Sequence, residues 1–305
     1  MKKKPTVTIG IPAYNEEANI GKLLKILLKQ KQLNYKLMKI IVVSDGSIDK
    51  TDKILCSINN PKIRLFKNKR RIGQPDTQNV ITKKVDTDLL ILINADVLPK
   101  GNLFIEKLIH PFLYDNNIGI VGADTSSAHR KSYFESIVIQ GRKFKKNVYL
   151  KINNGSSVYL CHGRGRAFSK ELYKNIRWVD DCPEDAFSYF YCLTRGLKFI
   201  YSKEAVVLFR SPTNVEGHKK QSDRFYVGKK NLEKYFDTKL IKKEYYLPKT
   251  LIISEFMKET FKYPLKMFAY FSVIVYLGIS RIFTRLSINK TNYSLWNVTL
   301  SSKKI

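Results

Sequence analysis

The chain has 305 residues, of which 44% are hydrophobic and 12% aromatic, so it is able to build a sizeable core and is not of a disordered composition. Lysine and arginine number 55 against 26 acidic residues, which gives a formal net charge of +29. This excess favours a negatively charged partner, such as nucleic acid, anionic lipid headgroups or phosphorylated substrates, although a lysine-favouring AT-rich genome explains part of it equally well.

Strand and helix patterns alternate over the first 123 residues. Thr6 to Ile11 is an alternating, β-branched stretch typical of a strand, and apolar residues recur at helical spacing from Ile20 to Leu28. Further strands are predicted at KIIVVSDGS, KIRLF, DLLILI and IGIVGA, with helices at DKTDKILCSI, QPDTQNVITKKV and NLFIEKLIHPFL. This order predicts an α/β fold whose doubly wound, mostly parallel sheet has helices on both faces.

The pattern is less regular beyond Ala123. A basic helix is predicted from about Tyr133 to Lys151, and VYLCHGRGRAF predicts a strand with a glycine turn. PEDAFSYFYCLTRG is typical of a helix that ends at Gly196, and KFIYSKEAVVLF predicts a pair of strands.

Charged and turn-forming residues gather where three of the predicted strands end. PAYNEE follows the first strand, SDGSIDKT the second and NADV the fourth. Ligands of open α/β sheets bind outside the carboxyl ends of the strands, so these residues predict a ligand site at one edge of the sheet. No GxGxxG or P-loop pattern is present, and we therefore expect a divalent cation held by carboxylate oxygens, with Asp96 as a ligand.

Simpler explanations exist for several of these residues. Asp45 lies in a stretch rich in turn and helix-capping residues, and Glu184 and Asp185 begin a helical pattern, where the helix dipole favours acids. His218 is either a further metal ligand or a solvated loop residue. The two arginines of GRGRAF either contact a diphosphate or lie in a solvated loop.

Eight stretches occur in an order that is similar to a known enzyme family. They are VTIGIPAYNEEANIGKLL, IIVVSDGSIDKT, RIGQPDTQN, LLILINADVLP, GRGRAFSKELY, PEDAFSYF, RGLKFIY and QSDRFYVG. Together they resemble the family 2 glycosyltransferases of the GT-A fold, and the resemblance covers about Val7 to Gly228. It implies an inverting enzyme that takes a sugar from a nucleotide diphosphate sugar with the help of Mg²⁺ or Mn²⁺.

The resemblance assigns residues at the first two strand ends to the nucleotide. It implies that Pro12, Ala13, Tyr14 and Glu16 line the nucleotide pocket. It also implies that Asp45 forms a hydrogen bond with the base or the ribose.

Later motifs imply the metal site and the catalytic base. The tripeptide Asn94–Ala95–Asp96 stands where the family usually has DxD, so Asp96 is expected to hold the metal and Asn94 to keep an oxygen ligand without the charge. Asp185 is expected to be the general base, and Arg224 to neutralise the leaving diphosphate. Phe225 replaces the tryptophan usual in the QxxRW motif beside the acceptor.

A C-terminal apolar segment follows the motifs. Residues 267–280 carry no charge and are bounded by Lys266 and Arg281, which leaves three alternatives: an interfacial helix, a short transmembrane helix or a core helix. We expect a GT-A catalytic domain over residues 1–236 and a helical, membrane-associating segment over 237–305. The basic surface and this segment suit an anionic membrane surface and a lipid-linked or cell-envelope saccharide acceptor.

Two other functional classes have weaker support. A nucleic-acid-binding protein needs a basic stripe with a recognition motif, whereas the lysines here are spread along the chain, so no nucleic-acid partner is expected. A nucleotidyltransferase on a similar sheet needs a glycine-rich, basic signature near the N-terminus, where IPAYNEE stands. Four cysteines without CxxC spacing predict reduced thiols in a cytoplasmic protein. The N-terminus is basic and has no long apolar run, which argues against secretion. Together with the C-terminal apolar segment, this predicts a location at the cytoplasmic face of the membrane.

Overall fold

The computed structural model describes residues 3–128, 132–284 and 305. The strands in these ranges are β1 (Thr6–Ala13), β2 (Lys36–Ser44), β3 (Ile63–Lys67), β4 (Leu89–Ile93), β5 (Val97–Pro99), β6 (Ile118–Ser127), β7 (Gly165–Ser169) and β8 (Lys198–Phe209). The helices are α1 (Ile20–Leu28), α2 (Thr51–Cys56), α3 (Gln74–Thr82), α4 (Phe104–Ile109), α5 (Tyr133–Leu150), α6 (Lys170–Asn175), α7 (Glu184–Thr194), α8 (Val215–Leu232), α9 (Thr238–Glu244), α10 (Lys249–Lys262) and α11 (Pro264–Thr284).

All eight strands form one mixed sheet in the order β3-β2-β1-β4-β7-β6-β8-β5. Strands β3, β2, β1 and β4 are parallel to their neighbours in this order, and β6 is parallel to β8. Strand β7 is antiparallel to both β4 and β6, and β5 is antiparallel to β8. The predicted α/β class and mostly parallel sheet are confirmed, and β1, β2 and β4 end at the same edge.

Helices cover both faces of the sheet. Ile40 and Val42 of β2 join a core cluster with residues of α1 and α4, whereas Ile41 and Val43 join a second cluster with residues of α3 and α7. Successive strand residues point to opposite faces, so one strand supplies both cores. Burial on both faces also explains why these strands are nearly continuous apolar runs in the sequence.

The strand pair predicted at KFIYSKEAVVLF is wrong. This segment is the single strand β8, which pairs in parallel with β6 along its length. The pairing partner shifts from Ser202 to Val206 between Ala123 and Asp124, so residues 203–205 bulge from the ladder. A bulge absorbs the polar SKE sequence without a turn.

The C-terminal helices pack on α5 through a third apolar cluster, which includes Phe144, Met267 and Tyr270. A Cβ atom at Gly141 would lie 2.2 Å from the Tyr270 ring, so glycine allows α5 and α11 to approach closely. The Glu259 carboxylate of α10 accepts hydrogen bonds from two side chains of α5. Residues 285–304 of the predicted C-terminal segment lie outside the described residues.

Within the described part of the chain, one surface of α11 is uncovered. The stretch Pro264–Ile282 has the length and composition of a membrane span, with a hydropathy of 1.4, and only 17% of it is buried. Leu265 and Phe268 are 78% and 61% exposed, whereas Met267 on the α5 side is fully buried. This exposure argues against the core-helix alternative.

Candidate active site

Hydrogen bonds between the β1–α1 and β2–α2 loops build one side of the site. The Asn15 N–H donates to Ser47 Oγ at 3.1 Å, and the Ile48 N–H donates to Asn15 Oδ1 at 2.9 Å. The Glu16 N–H donates to Thr51 Oγ1 at 2.7 Å. Asn15 adopts a φ of 53°, a left-handed conformation that asparagine tolerates better than most residues. The two loops are therefore fixed to each other at the carboxyl edge of the sheet.

The residues expected to line the nucleotide pocket lie along this edge. Pro12 and Ala13 are the last two residues of β1. The Tyr14 ring centre lies 4.1 Å from the guanidinium carbon of Arg71, which comes from the loop after β3. Glu16 is 7% exposed, so its carboxylate is part of the loop interior as much as of the pocket wall.

Asp45 holds the loop of residues 68–73 in place. One carboxylate oxygen accepts hydrogen bonds from Asn68 Nδ2 at 2.8 Å and the Ile72 N–H at 2.9 Å, and the other accepts from the Gly73 N–H at 2.8 Å. Asp45 is 4% exposed. A carboxylate accepts about four hydrogen bonds, so these three leave room for about one to a ligand.

Gln74 links the two halves of the site. Its Nε2 donates to Asn94 Oδ1 at 3.0 Å and to Glu184 Oε1 at 2.9 Å. The Asn94 oxygen, expected as a ligand, accepts one hydrogen bond from the protein and keeps its second lone pair, and Nδ2 also remains to meet a substrate. This link joins the end of β4 to the start of α7.

Asp96 has an oxygen that the protein does not satisfy. Asp96 Oδ1 is buried and has no hydrogen-bond partner among the residues that the structure describes. Buried polar atoms are normally paired, so this oxygen fits a bound cation. No cluster of three or more histidine, cysteine or acidic residues occurs within the described part of the chain. A metal here would need ligand oxygens from the substrate in addition to Asp96.

Two adjacent carboxyl groups lie at the start of α7. Burial, followed by the nearby Asp185 charge, raises the pKa of Glu184 to about 7. Asp185 Oδ2 accepts from the Gly163 N–H at 3.2 Å, and Oδ1 accepts from the Ala186 N–H at 2.8 Å. Asp181 lies elsewhere and is ion-paired with Lys234 at 2.8 Å.

The two arginines of GRGRAF have different surroundings, and neither lies in a solvated loop. Arg166 is fully buried and donates Nη1 to the Glu184 carbonyl at 3.1 Å and to Ser188 Oγ at 2.8 Å, so it supports the first turn of α7. Arg164 is half-buried, with its guanidinium carbon 4.2 Å from the Phe209 ring centre. Burial lowers the pKa of Arg164, while the charges of Asp96 and Asp185 oppose that shift.

Helix α8 brings the QSDRF motif to the same region. The charge of Arg224 lowers the pKa values of both Glu184 and Arg164, as minor contributions beside burial, so Arg224 lies within electrostatic range of both. Phe225 is 49% exposed, and its ring stacks on Tyr159 with a centroid distance of 6.2 Å. Phe225 therefore presents an exposed aromatic ring at this position of the motif.

His218 does not lie in the solvated loop that was one alternative for it. It lies within α8, half-buried, and not in a solvated loop. Its Nδ1 is buried without a hydrogen-bond partner among the described residues. Burial, followed by the charges of Lys145 and Arg142, lowers the pKa of His218 to about 4.

Sequence reasoning missed Gln74 and Arg142. Gln74 was part of a quoted motif, and its place at the start of α3, directly after Gly73, was the available signal. Arg142 is one basic residue among several on α5, and its contact with Phe209 joins distant parts of the chain. No local pattern indicates such a contact.

Comparison with known proteins agrees with this geometry. The mannosyltransferase PcManGT from Pyrobaculum calidifontis, solved with GDP-Man and Mn²⁺, is 16% identical, with a TM-score of 0.58 over 97% of this chain and 84% of its own. TarS 1-349 from S. aureus, solved with UDP-GlcNAc, is 18% identical, with a TM-score of 0.53 over 68% of this chain and 58% of its own. Both show that the fold is of the GT-A type.

Sequence comparison extends this likeness. An uncharacterized protein from Methanocaldococcus jannaschii is 27% identical over 186 residues, which are 60% of this chain and 72% of its own. The sequence profile described as Glycosyl transferase family 2 matches residues 8–177, which is more than half of the chain. The protein therefore belongs to glycosyl transferase family 2 and is a glycosyltransferase.

Proposed function

We propose that this glycosyltransferase uses Mg²⁺ or Mn²⁺ to move a sugar, with inversion, from a nucleotide diphosphate sugar to a lipid-linked or cell-envelope saccharide acceptor. The unsatisfied, buried Oδ1 of Asp96 at the end of β4 carries this proposal. A carboxylate oxygen at the ligand edge of an α/β sheet is suited to a divalent cation. The metal-bound nucleotide sugars of the structurally similar mannosyltransferase support the same assignment.

The donor is placed by the two loops that the hydrogen bonds fix together. Pro12, Ala13, Tyr14 and Glu16 form the wall of the nucleotide pocket, and Asp45 contributes its remaining acceptor position. A cation at Asp96, when bound, would supply positive charge to the diphosphate. Asn94 contributes the second lone pair of its oxygen and its amide N–H groups to the donor and its cation, since Gln74 occupies one lone pair.

The acceptor side is built from α7 and α8. Asp185 removes the proton of the acceptor hydroxyl as that oxygen attacks the sugar carbon. The two N–H donors fix the orientation of its carboxylate without using all of its acceptor positions. Arg224 stabilises the charge that develops on the leaving diphosphate. The exposed ring of Phe225, supported by Tyr159, offers an aromatic surface on which an acceptor sugar stacks.

Helix α11 carries the membrane part of the proposal. Its inner side is fixed to α5, while apolar side chains such as Leu265, Phe268 and Ile282 face outward at 78%, 61% and 69% exposure. Lys262 is exposed just before the helix, and Lys266 lies in its first turn. An apolar face beside basic residues suits insertion into one leaflet of an anionic membrane. We place the enzyme at the cytoplasmic face, with residues 1–236 as the catalytic domain and 237–305 as the membrane-associating segment.

Asp96→Ala tests the donor and metal assignment. Calorimetry with UDP and GDP, each with and without Mn²⁺, should show Mn²⁺-dependent binding of at least one nucleotide to the wild type. The variant should lose that dependence while circular dichroism shows an unchanged fold, because an unsatisfied buried oxygen adds nothing to stability. Unchanged Mn²⁺-dependent affinity in the variant would show that Asp96 does not hold the metal.

A further inference from the structure

Two guanidinium groups contact one aromatic ring beside the candidate active site. The guanidinium carbons of Arg142 and Arg164 lie 4.0 and 4.2 Å from the centre of the Phe209 ring. Phe209 is 3% exposed and pairs with Val97, which directly follows Asp96 in the chain. The ring therefore fixes two cations next to the strand end that carries Asp96.

The protein does not neutralise these cations by direct contact. Within residues 3–128 and 132–284, no carboxylate forms an ion pair with Arg142 or Arg164, and no oxygen accepts a hydrogen bond from either guanidinium. The charges of Asp96 and Asp185 act on Arg164 only through space. Partly buried cations without a directly bonded counter-charge are costly. An anion would offset that cost.

These two arginines lie between the carboxyl groups and the C-terminal helices. Arg164 is within electrostatic range of Asp185. Arg142 directly follows Gly141, the point at which α5 packs against Tyr270 of α11. An anion held here is therefore close both to the reacting end of the acceptor and to the apolar helix.

We propose that Arg142 and Arg164, gathered around Phe209, form a subsite for a phosphate group carried by the acceptor. Guanidinium groups present forked N–H donors that match phosphate oxygens. The donor diphosphate is assigned to Asp96 and its cation, so the subsite holds a second anion. This inference rests on the proposed function, because it gives a place to one substrate of that reaction.

The test keeps the donor site filled while the subsite is probed. The full-length protein is saturated with a nucleoside diphosphate and Mn²⁺ and is then titrated calorimetrically with octyl phosphate or glycerol 3-phosphate. Octyl glucoside and glycerol serve as neutral counterparts. We expect phosphate-dependent binding that becomes about 10- to 100-fold weaker in Arg142→Gln, the usual effect of losing one charged hydrogen-bond partner. Tighter binding of octyl phosphate than of glycerol 3-phosphate would show that a lipid carries the phosphate. Equal binding of the two probes would indicate a soluble acceptor.

Lys143→Gln is the matched control, since it removes the same charge from an exposed position on the same helix. Arg142→Lys keeps the charge without the fork and should retain part of the affinity, which guards against a folding defect in Arg142→Gln. The proposal is overturned if Arg142→Gln behaves like Lys143→Gln, or if the phosphate probes displace the nucleotide. Failure of the proposed function would appear differently, as absent nucleotide binding in the wild type.

Discussion

Asp96 and Asp185 have opposite relations to the protein around them. One oxygen of Asp96 is buried without a hydrogen bond in the described residues, whereas both oxygens of Asp185 accept backbone N–H groups. The first arrangement leaves a charge to be satisfied by a ligand. The second fixes the direction of a carboxylate, which a general base requires.

Asp185→Asn should lower turnover about 100- to 10,000-fold, the usual contribution of a positioned general base. Donor affinity should change little, because proton removal matters in the transition state and not in the donor complex. Steady-state rates and calorimetric donor affinity test both statements. Asp181→Asn is the control, since Asp181 is ion-paired with Lys234 and should be dispensable for transfer. A near wild-type rate in Asp185→Asn would leave Glu184 as the candidate base.

Glu184 gives a pH-dependent contribution to stability. Its pKa rises from 4.5 to about 7 on folding, so between these values the folded protein binds more protons than the unfolded chain. Its contribution to the free energy of unfolding therefore falls as pH increases from 4.5 to 7. Glu184→Gln should lose less stability between pH 5 and pH 8 than the wild type in urea denaturation. Equal losses in the two proteins, with Glu204→Gln as an exposed control, would contradict the assigned pKa.

The residues that sequence reasoning found are those whose position along the chain carries information. Asp96 ends a continuous apolar strand, and parallel strands that end together define a ligand edge. The Gln74 link and the Arg142 contact depend instead on how α3 and α5 pack, which strand and helix periodicity does not determine. The sequence therefore predicted side chains at strand ends such as Asp96. It did not predict the contacts that Gln74 and Arg142 make with distant parts of the chain.

At the scale of elements, α11 shows two different faces. Met267, Tyr270 and Leu277 are buried, and Phe268 and Val275 on other sides of the helix are 61% and 42% exposed. Glu259 of α10 also accepts hydrogen bonds from α5. Moving α10 and α11 away from α5 would therefore cost both apolar and polar contacts. This attachment favours an interfacial helix over one that spans the membrane.

Phe268→Glu combined with Val275→Glu should abolish the salt-resistant binding to anionic vesicles while leaving the thermal unfolding temperature nearly unchanged. Both side chains are exposed, so a charge costs little in the soluble protein and much in a lipid leaflet. Vesicle co-sedimentation and circular dichroism are the measurements. Tyr114→Glu places the same charge at another exposed aromatic residue and should bind as the wild type does. Retention of the wild-type protein in carbonate-washed membranes would favour the spanning alternative.

At the scale of the whole molecule, the alternation of strand and helix patterns was enough to predict the α/β class. The wrong prediction, a strand pair in place of β8, fell where the sheet is irregular. Strand β8 continues through a polar stretch because β6 supports it on both sides of the bulge. A polar interruption in a sequence indicates a turn unless a neighbouring strand holds the ladder together. That neighbour is known only from the assembled sheet.

The net charge of +29 and the apolar face of α11 should act together on an anionic membrane. Basic residues near such a surface each contribute about 1 kcal/mol, and salt screens this part but not the apolar part. Co-sedimentation with anionic vesicles should therefore weaken steadily as salt is raised from about 50 to 500 mM and reach a residual level. The Phe268→Glu and Val275→Glu variant should lack that residual binding. Vesicle binding that does not respond to salt would show that the charge has no part in it. Displacement of the protein from vesicles by duplex DNA at equal salt would instead support a nucleic-acid partner.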